Sequence, residues 1–148
     1  MRDFIEFGQN YVFWTGILGW FVAQSCKVVT GVIIQRRFDF RWFVGSGGMP
    51  SSHAAGVSAL SASIGLIYGF DSAIFALSLG FALVVFFDAQ GVRRSSGKQA
   101  VILNKMLDDI YWKKKIDEKQ IKELLGHSPI EVLAGAALGV VVALMCYK

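Results

Sequence analysis

Nine consecutive residues, Gly47-Gly48-Met49-Pro50-Ser51-Ser52-His53-Ala54-Ala55, set loop glycines, a proline, two hydroxyls and an imidazole side by side. Glycine lets backbone N–H groups approach a ligand closely, proline fits the first turn of a helix, and serine can cap it. The unpaired N–H groups and positive dipole end of such a helix draw an anion, and a phosphate suits them well. His53 then stands where it can give a proton to that phosphate's leaving group. On its own the stretch reads first as a capped helix start with a solvated His.

A second imidazole opens the last apolar segment. In His127-Ser128-Pro129-Ile130-Glu131, Ser128 reads as an N-cap, Pro129 as the first helical position and Glu131 as the third, which makes a capping box. The box explains Glu131 and leaves His127 unexplained. Lys27 lies inside the first apolar segment, where a Lys at the centre of a spanning helix costs about 2.5 to 3.5 kcal/mol. Snorkelling to water is its structural alternative. Arg36, Arg37 and Arg41 follow that segment, and Arg93, Arg94 and Lys98 fall in a second glycine-flanked polar cluster from Gly91 to Lys98.

These residues must be positioned by membrane helices. The chain has 148 residues, 54% of them hydrophobic and 14% aromatic, with mean hydropathy +0.50, too apolar for most soluble domains. Apolar segments cover about 11–34, 54–70, 72–89 and 129–147, against the roughly 20 residues that span a hydrocarbon core. The middle two are short, the first of them rich in Ala, Ser and Gly, and both read as tilted or shielded by the others. Asp3 and Glu6 spoil the basic region a signal peptide needs, and Cys26 and Cys146 read as free thiols. Gly65 to Gly69 and Gly135 to Gly139 each read G-x-x-x-G, a weak sign of close helix contact.

The expected fold is therefore all-α, a single domain over 1–148: an integral-membrane bundle of about four transmembrane helices. A hydrophilic insertion at about 91–126 carries an amphipathic cytosolic helix, with Ala100, Leu103, Met106, Leu107 and Ile110 on one face and lysines in its far half. Four crossings put the loops after the first and third helices on one side. That side holds Arg36, Arg37, Arg41, Arg93, Arg94, Lys98, Lys105, Lys113, Lys114, Lys115, Lys119 and Lys122, against Arg2 and Lys148 on the other. The asymmetry places the loops in the cytosol. It also gathers Lys27, His53, Arg93, Arg94 and His127 at one membrane surface, an arrangement suited to a phosphate.

With those residues in view, the chain resembles the phosphatidic acid phosphatase type 2 (PAP2) superfamily, and more closely its small divergent bacterial branch of four-helix membrane proteins. The superfamily's motifs are a Lys followed by Arg-Pro, then Pro-Ser-Gly-His, then Ser-Arg with a downstream His-x-x-x-Asp. Pro50-Ser51-Ser52-His53 is similar to the second with Ser for Gly, and His127 to Glu131 to the end of the third with Glu for Asp. Lys27 lacks the Arg-Pro, and the third motif is split, with its arginine at Arg93 or Arg94.

The resemblance implies a PAP2-like core and a metal-independent phosphatase with no cofactor. By that resemblance His127 attacks phosphorus to form a phosphohistidine and Glu131 holds its other ring nitrogen, one helical turn away. His53 protonates the leaving alkoxide and then activates water. Lys27, Ser52, Arg93 or Arg94, and Arg36 or Arg37 bind the phosphoryl oxygens. The implied substrate is a phospholipid or isoprenoid phosphate at the cytosolic leaflet of the bacterial inner membrane. Self-association would help four helices to seal a cleft. The competing reading is a catalytically silent protein that binds anionic lipid headgroups or a partner through the same pocket. A channel is weaker with one intramembrane charge, and neither metal-ligand spacing nor a nucleic-acid-binding module is present.

Overall fold

The computed structural model describes residues 6–36, 48–90, 99–104, 106 and 127–147. Four long helices carry the fold: α1 (Tyr11–Gln35), α2 (Ser52–Tyr68), α3 (Ala73–Gln90) and α4 (Pro129–Cys146). Among the described residues there is no strand, so the chain is an all-α membrane bundle. Among the described residues, three stretches are long and apolar enough to cross a bilayer: Tyr11–Ile33, Ala73–Gln90 and Pro129–Cys146.

The remaining helix, α2, is different in kind. It has 17 residues, about 26 Å at 1.5 Å per residue, and it packs against all three of the others. Against the expectation of about four crossings, three helices qualify on their own hydropathy. The other is enclosed by neighbours rather than dissolved in lipid. Its buried residues are Ser52, Ala54, Ala55, Ser58, Ala59, Ser61, Ser63, Ile64 and Gly65, nearly all small. Small side chains let helix backbones approach in a membrane, where apolar area gives no preference for protein over lipid. The hydroxyls are satisfied internally: Ser63 Oγ donates to Ala59 O at 2.8 Å, and Ser61 and Ser78 share a hydrogen bond at 3.1 Å. Large apolar residues point the other way, with Leu77 of α3 75% and Met145 of α4 81% exposed.

Glycines set two of the contacts. On α4, a Cβ at Gly135 would collide with the carbonyl of Ser51, and one at Gly139 with Ala55 O and with Ala59 N. The Gly135–Gly139 repeat is therefore the seam between α4 and α2. The other repeat is not a seam: a Cβ at Gly65 would strike the Phe70 ring at the α2–α3 turn, and Gly69 ends α2 with φ +89°. At that end of the bundle, the rings of Phe7, Phe13 and Trp14 pack with centroids 4.9 and 5.3 Å apart, as aromatics do at a membrane interface.

Two local expectations change. Pro50 is not in the first turn of α2; it precedes the N-cap Ser51 and follows a cis peptide bond. Ser51 Oγ takes the N–H of Ala54, which satisfies the helix start without the proline. Of the expected amphipathic helix only 99–104 and 106 are described, and all are helical. There Ala100 and Asn104 are the buried pair, whereas Leu103 and Met106 are exposed. A small and a polar residue make the close protein contact, and the apolar ones are left for another apolar surface. Leu107, Ile110 and the lysine run lie outside the described residues.

If the Gly139 seam holds α4 on α2, Gly139→Ala should destabilise the protein by about 1–3 kcal/mol, the usual cost of overpacking. Thermal unfolding in detergent reads this directly. Gly80→Ala, where nothing stands within 4 Å, should leave the midpoint unchanged or slightly raised.

Candidate functional site

Alternating helix direction brings the C-terminal ends of α1 and α3 and the N-terminal ends of α2 and α4 to one end of the bundle, where three bonds tie them. Ser51 N–H donates to Glu131 O at 2.9 Å and joins α2 to α4. His127 N–H donates to Ala89 O at 3.1 Å and joins α4 to α3. Lys27 Nζ donates to Ser52 Oγ at 3.1 Å and joins α1 to α2. Ala54, Ala89 and Val132 form the apolar floor beneath, with Phe86 against them.

His127 is the residue before the N-cap of α4, and the capping box read from the sequence is present in full. Ser128 Oγ accepts from Glu131 N at 3.4 Å, and Glu131 Oε2 accepts from Ser128 N at 3.2 Å. The same Oε2 lies 2.8 Å from His127 Nδ1. A carboxylate only accepts, so Nδ1 carries the proton and, in the neutral ring, Nε2 carries the lone pair. His127 is 2% exposed, and its Nε2 is buried with no hydrogen-bond partner among the described residues. Leaving such an atom unpaired costs on the order of 1–3 kcal/mol. Among the described residues the ring is thus held through one nitrogen and unpaired at the other.

Lys27 is 8% exposed and does not snorkel. It sits six residues before Ile33, about 9 Å inside the end of the apolar span. Its Nζ donates to Gln24 Oε1 at 3.3 Å as well as to Ser52, so two of three ammonium donors meet neutral oxygens. Glu131 is near enough to act on Lys27 through its charge. Lys27, Ser52, His127 and Glu131 are thus neighbours, although they are spread over about a hundred residues of chain.

His53 lies on the first turn of α2 beside Ser52, but its side chain is exposed and faces a groove between α1 and α3. Arg36 is the C-cap of α1 with φ 50°, exposed, its N–H on Val32 O. It is nine residues past Lys27, about 13 Å farther along the axis, and the structure does not bring it to the cluster. Arg37, Arg93 and Arg94 lie outside the described residues.

Sequence reasoning missed Gln24, whose amide holds Lys27. A buried Gln one turn from an intramembrane Lys was a readable signal, since polar residues in a span tend to pair. Nothing in the sequence announced the backbone bonds from Ser51 and His127.

Fold and site together define a helical membrane protein with a buried His held by a half-buried carboxylate, and a buried ammonium, at one end of its bundle. The chain belongs to the divergent PAP2 family, whose sequence pattern matches residues 8–142. It is similar to the uncharacterized membrane protein YuiD of Bacillus subtilis (strain 168), with 38% identity over 152 residues covering 95% of this chain and 96% of that protein. No solved structure matches.

If Lys27 serves an anion rather than the fold, Lys27→Met should keep or raise the thermal midpoint, because an apolar residue of similar size often replaces a buried charge at no cost. The same variant should lose any stabilisation that vanadate confers on the parent. A fallen midpoint with the vanadate shift intact would make Lys27 a structural residue.

Proposed function

We propose that this protein is an integral-membrane lipid phosphatase that hydrolyses a phosphate monoester or diphosphate of a membrane lipid through a phosphohistidine intermediate. Phosphatidic acid, phosphatidylglycerol phosphate and polyprenyl phosphates are the candidate substrates. The observation that carries the proposal is His127, buried, oriented by a carboxylate at Nδ1 and without a hydrogen-bond partner at Nε2 among the described residues. Family membership supports the general class.

In this reading Nε2 donates its lone pair to phosphorus, and the P–O bond to the lipid breaks as the N–P bond forms. His53 gives its proton to the departing group, the lipid alkoxide from a monoester or the lipid phosphate from a diphosphate. It then takes a proton from water, whose oxygen attacks phosphorus and releases His127 and inorganic phosphate. Glu131 stabilises the positive charge that the His127 ring gains during attack. Lys27 and Ser52 bear on the phosphoryl oxygens, as an electrostatic clamp does in phosphoryl transfer.

The size of the task requires this division of labour. Phosphate-monoester hydrolysis calls for accelerations approaching ~10²¹-fold. A general acid supplies about 10²–10⁴ and one charge-stabilising donor roughly 3–4 kcal/mol. A covalent His, an acid and fixed cations act together or fall far short.

The site opens to the cytosolic leaflet of the inner membrane in this proposal, because twelve of the fifteen Lys and Arg residues fall in the two loops at its end. With Cys26 and Cys146 changed to Ser, a cysteine introduced as Lys115→Cys should react with an impermeant maleimide in inverted membrane vesicles and not in intact cells. Labelling from outside would reverse the assignment.

Purified protein should release phosphate from at least one of these lipids without added metal, and His127→Ala should abolish release. Glu131→Gln should lower kcat by about 10²–10⁴, the range seen when the partner of a catalytic imidazole loses its charge. Full turnover in His127→Ala would remove the mechanism. Lipid binding without hydrolysis in the parent would instead favour a silent headgroup-binding protein.

A further inference from the structure

A cation inside a membrane helix is ordinarily matched by a carboxylate, because an unpaired ion in a low-dielectric interior is costly. Lys27 is held differently. Its Nζ donates to two neutral oxygens, Gln24 Oε1 at 3.3 Å and Ser52 Oγ at 3.1 Å. Among the described residues the ion pair at this end is His127 with Glu131, and no carboxylate touches Lys27. Glu131 acts on the ammonium through its charge alone, while its Oε2 serves His127 and the N–H of Ser128.

Gln24 stands three residues before Lys27 on α1, so the two share a face of that helix. It is 2% exposed, an interior group like the ammonium it holds. Gly48, just before α2, covers the aliphatic stem: a Cβ there would stand 3.9 Å from Lys27 Cδ. The side chain is thus confined along its length, and two of its three N–H donors are fixed by Gln24 and Ser52. Glutamate has the same length and shape as glutamine and would accept the same N–H. Its charge beside Nζ would also cancel much of the ammonium's field. The amide keeps the bond and leaves the charge. A cluster arranged only to bury Lys27 would be better served by the carboxylate; one that receives a negative ligand is better served by the amide.

We propose that Gln24 is a positioning residue of the anion site: its neutral amide, together with Ser52, orients Lys27 and leaves the ammonium charge uncancelled for a phosphoryl group. Gln24 acts through Lys27 and not by touching the ligand. The proposal rests on reading this end of the bundle as a phosphate site, but it concerns binding and requires no turnover.

The test measures the vanadate affinity of the full chain in detergent, from the rise of its thermal midpoint with vanadate concentration. Gln24→Glu keeps the shape and the hydrogen bond and adds a negative charge. It should keep or raise the midpoint without vanadate, through direct contact with Lys27, and weaken vanadate binding by about tenfold or more. A Gln24 that serves the fold alone would give a Glu variant whose vanadate affinity matches the parent's, and that result would overturn the proposal. Gln24→Asn keeps the amide but is one methylene short of Nζ. It should also weaken vanadate, by a smaller factor than Glu does, and it decides the matter if the Glu variant fails to fold: affinity equal to the parent's in Gln24→Asn would then overturn the role. A parent that binds no vanadate would remove the anion site and this proposal with it. Vanadate bound by the parent and lost in Gln24→Glu, with no phosphate released from any lipid, would refute the phosphatase reading alone. Phosphate release by the parent, with KM and vanadate affinity unchanged in Gln24→Glu, would refute the role of Gln24 alone.

Discussion

Polar helix ends inside a membrane have no water to bond, so they must satisfy one another. In this protein that requirement draws four helix ends together. The N–H of Ser51 finds the carbonyl of Glu131, the N–H of His127 finds the carbonyl of Ala89, and Lys27 finds Ser52. Each bond crosses between helices. The polar groups that would otherwise be a liability become the joints of the bundle, and the side chains that could do chemistry hang from those joints.

Such joints need backbones that come close. Gly135 admits Ser51 to α4, and the Ala and Ser residues of α2 let three neighbours crowd around it. Large residues are spent on the lipid-facing surface, where they cost nothing and keep the bundle in the bilayer. Core and surface are thus inverted relative to a soluble bundle in size of residue, though not in polarity of the site. α3 packs mainly on α2 and little on α4, which leaves the gap toward α1 open along its length.

Much of this was legible in the sequence, for reasons that differ by element. α1, α3 and α4 announce themselves by continuous apolar runs, and the capping box of α4 fixes its start to the residue. α2 was harder: its Ser, Ala and Gly content is too polar for a lone span and too apolar for a loop, and only enclosure by other helices explains it. The Gly135 repeat was a real seam and the Gly65 repeat was not, because the first faces a helix and the second a Phe70 ring; spacing alone carries no direction. Lys27 shows the same limit. Its position one to two turns from the span's end allowed snorkelling, and only the partner across the bundle, twenty-five residues away, turned it inward.

The two imidazoles show how one sequence feature, a His at a helix start, acquires two characters from its surroundings. His127 is enclosed, held through Nδ1 by Glu131, and its Nε2 is buried without a hydrogen-bond partner among the described residues. His53 is exposed beside Ser52 and lines the groove between α1 and α3. A nucleophile benefits from the first environment, because a desolvated and oriented lone pair attacks without shedding a hydration shell. A group that must first give a proton and then take one back from water benefits from the second. The proposed roles follow that asymmetry: exchanging the two would put the proton shuttle in the enclosed position and the nucleophile in the exposed one.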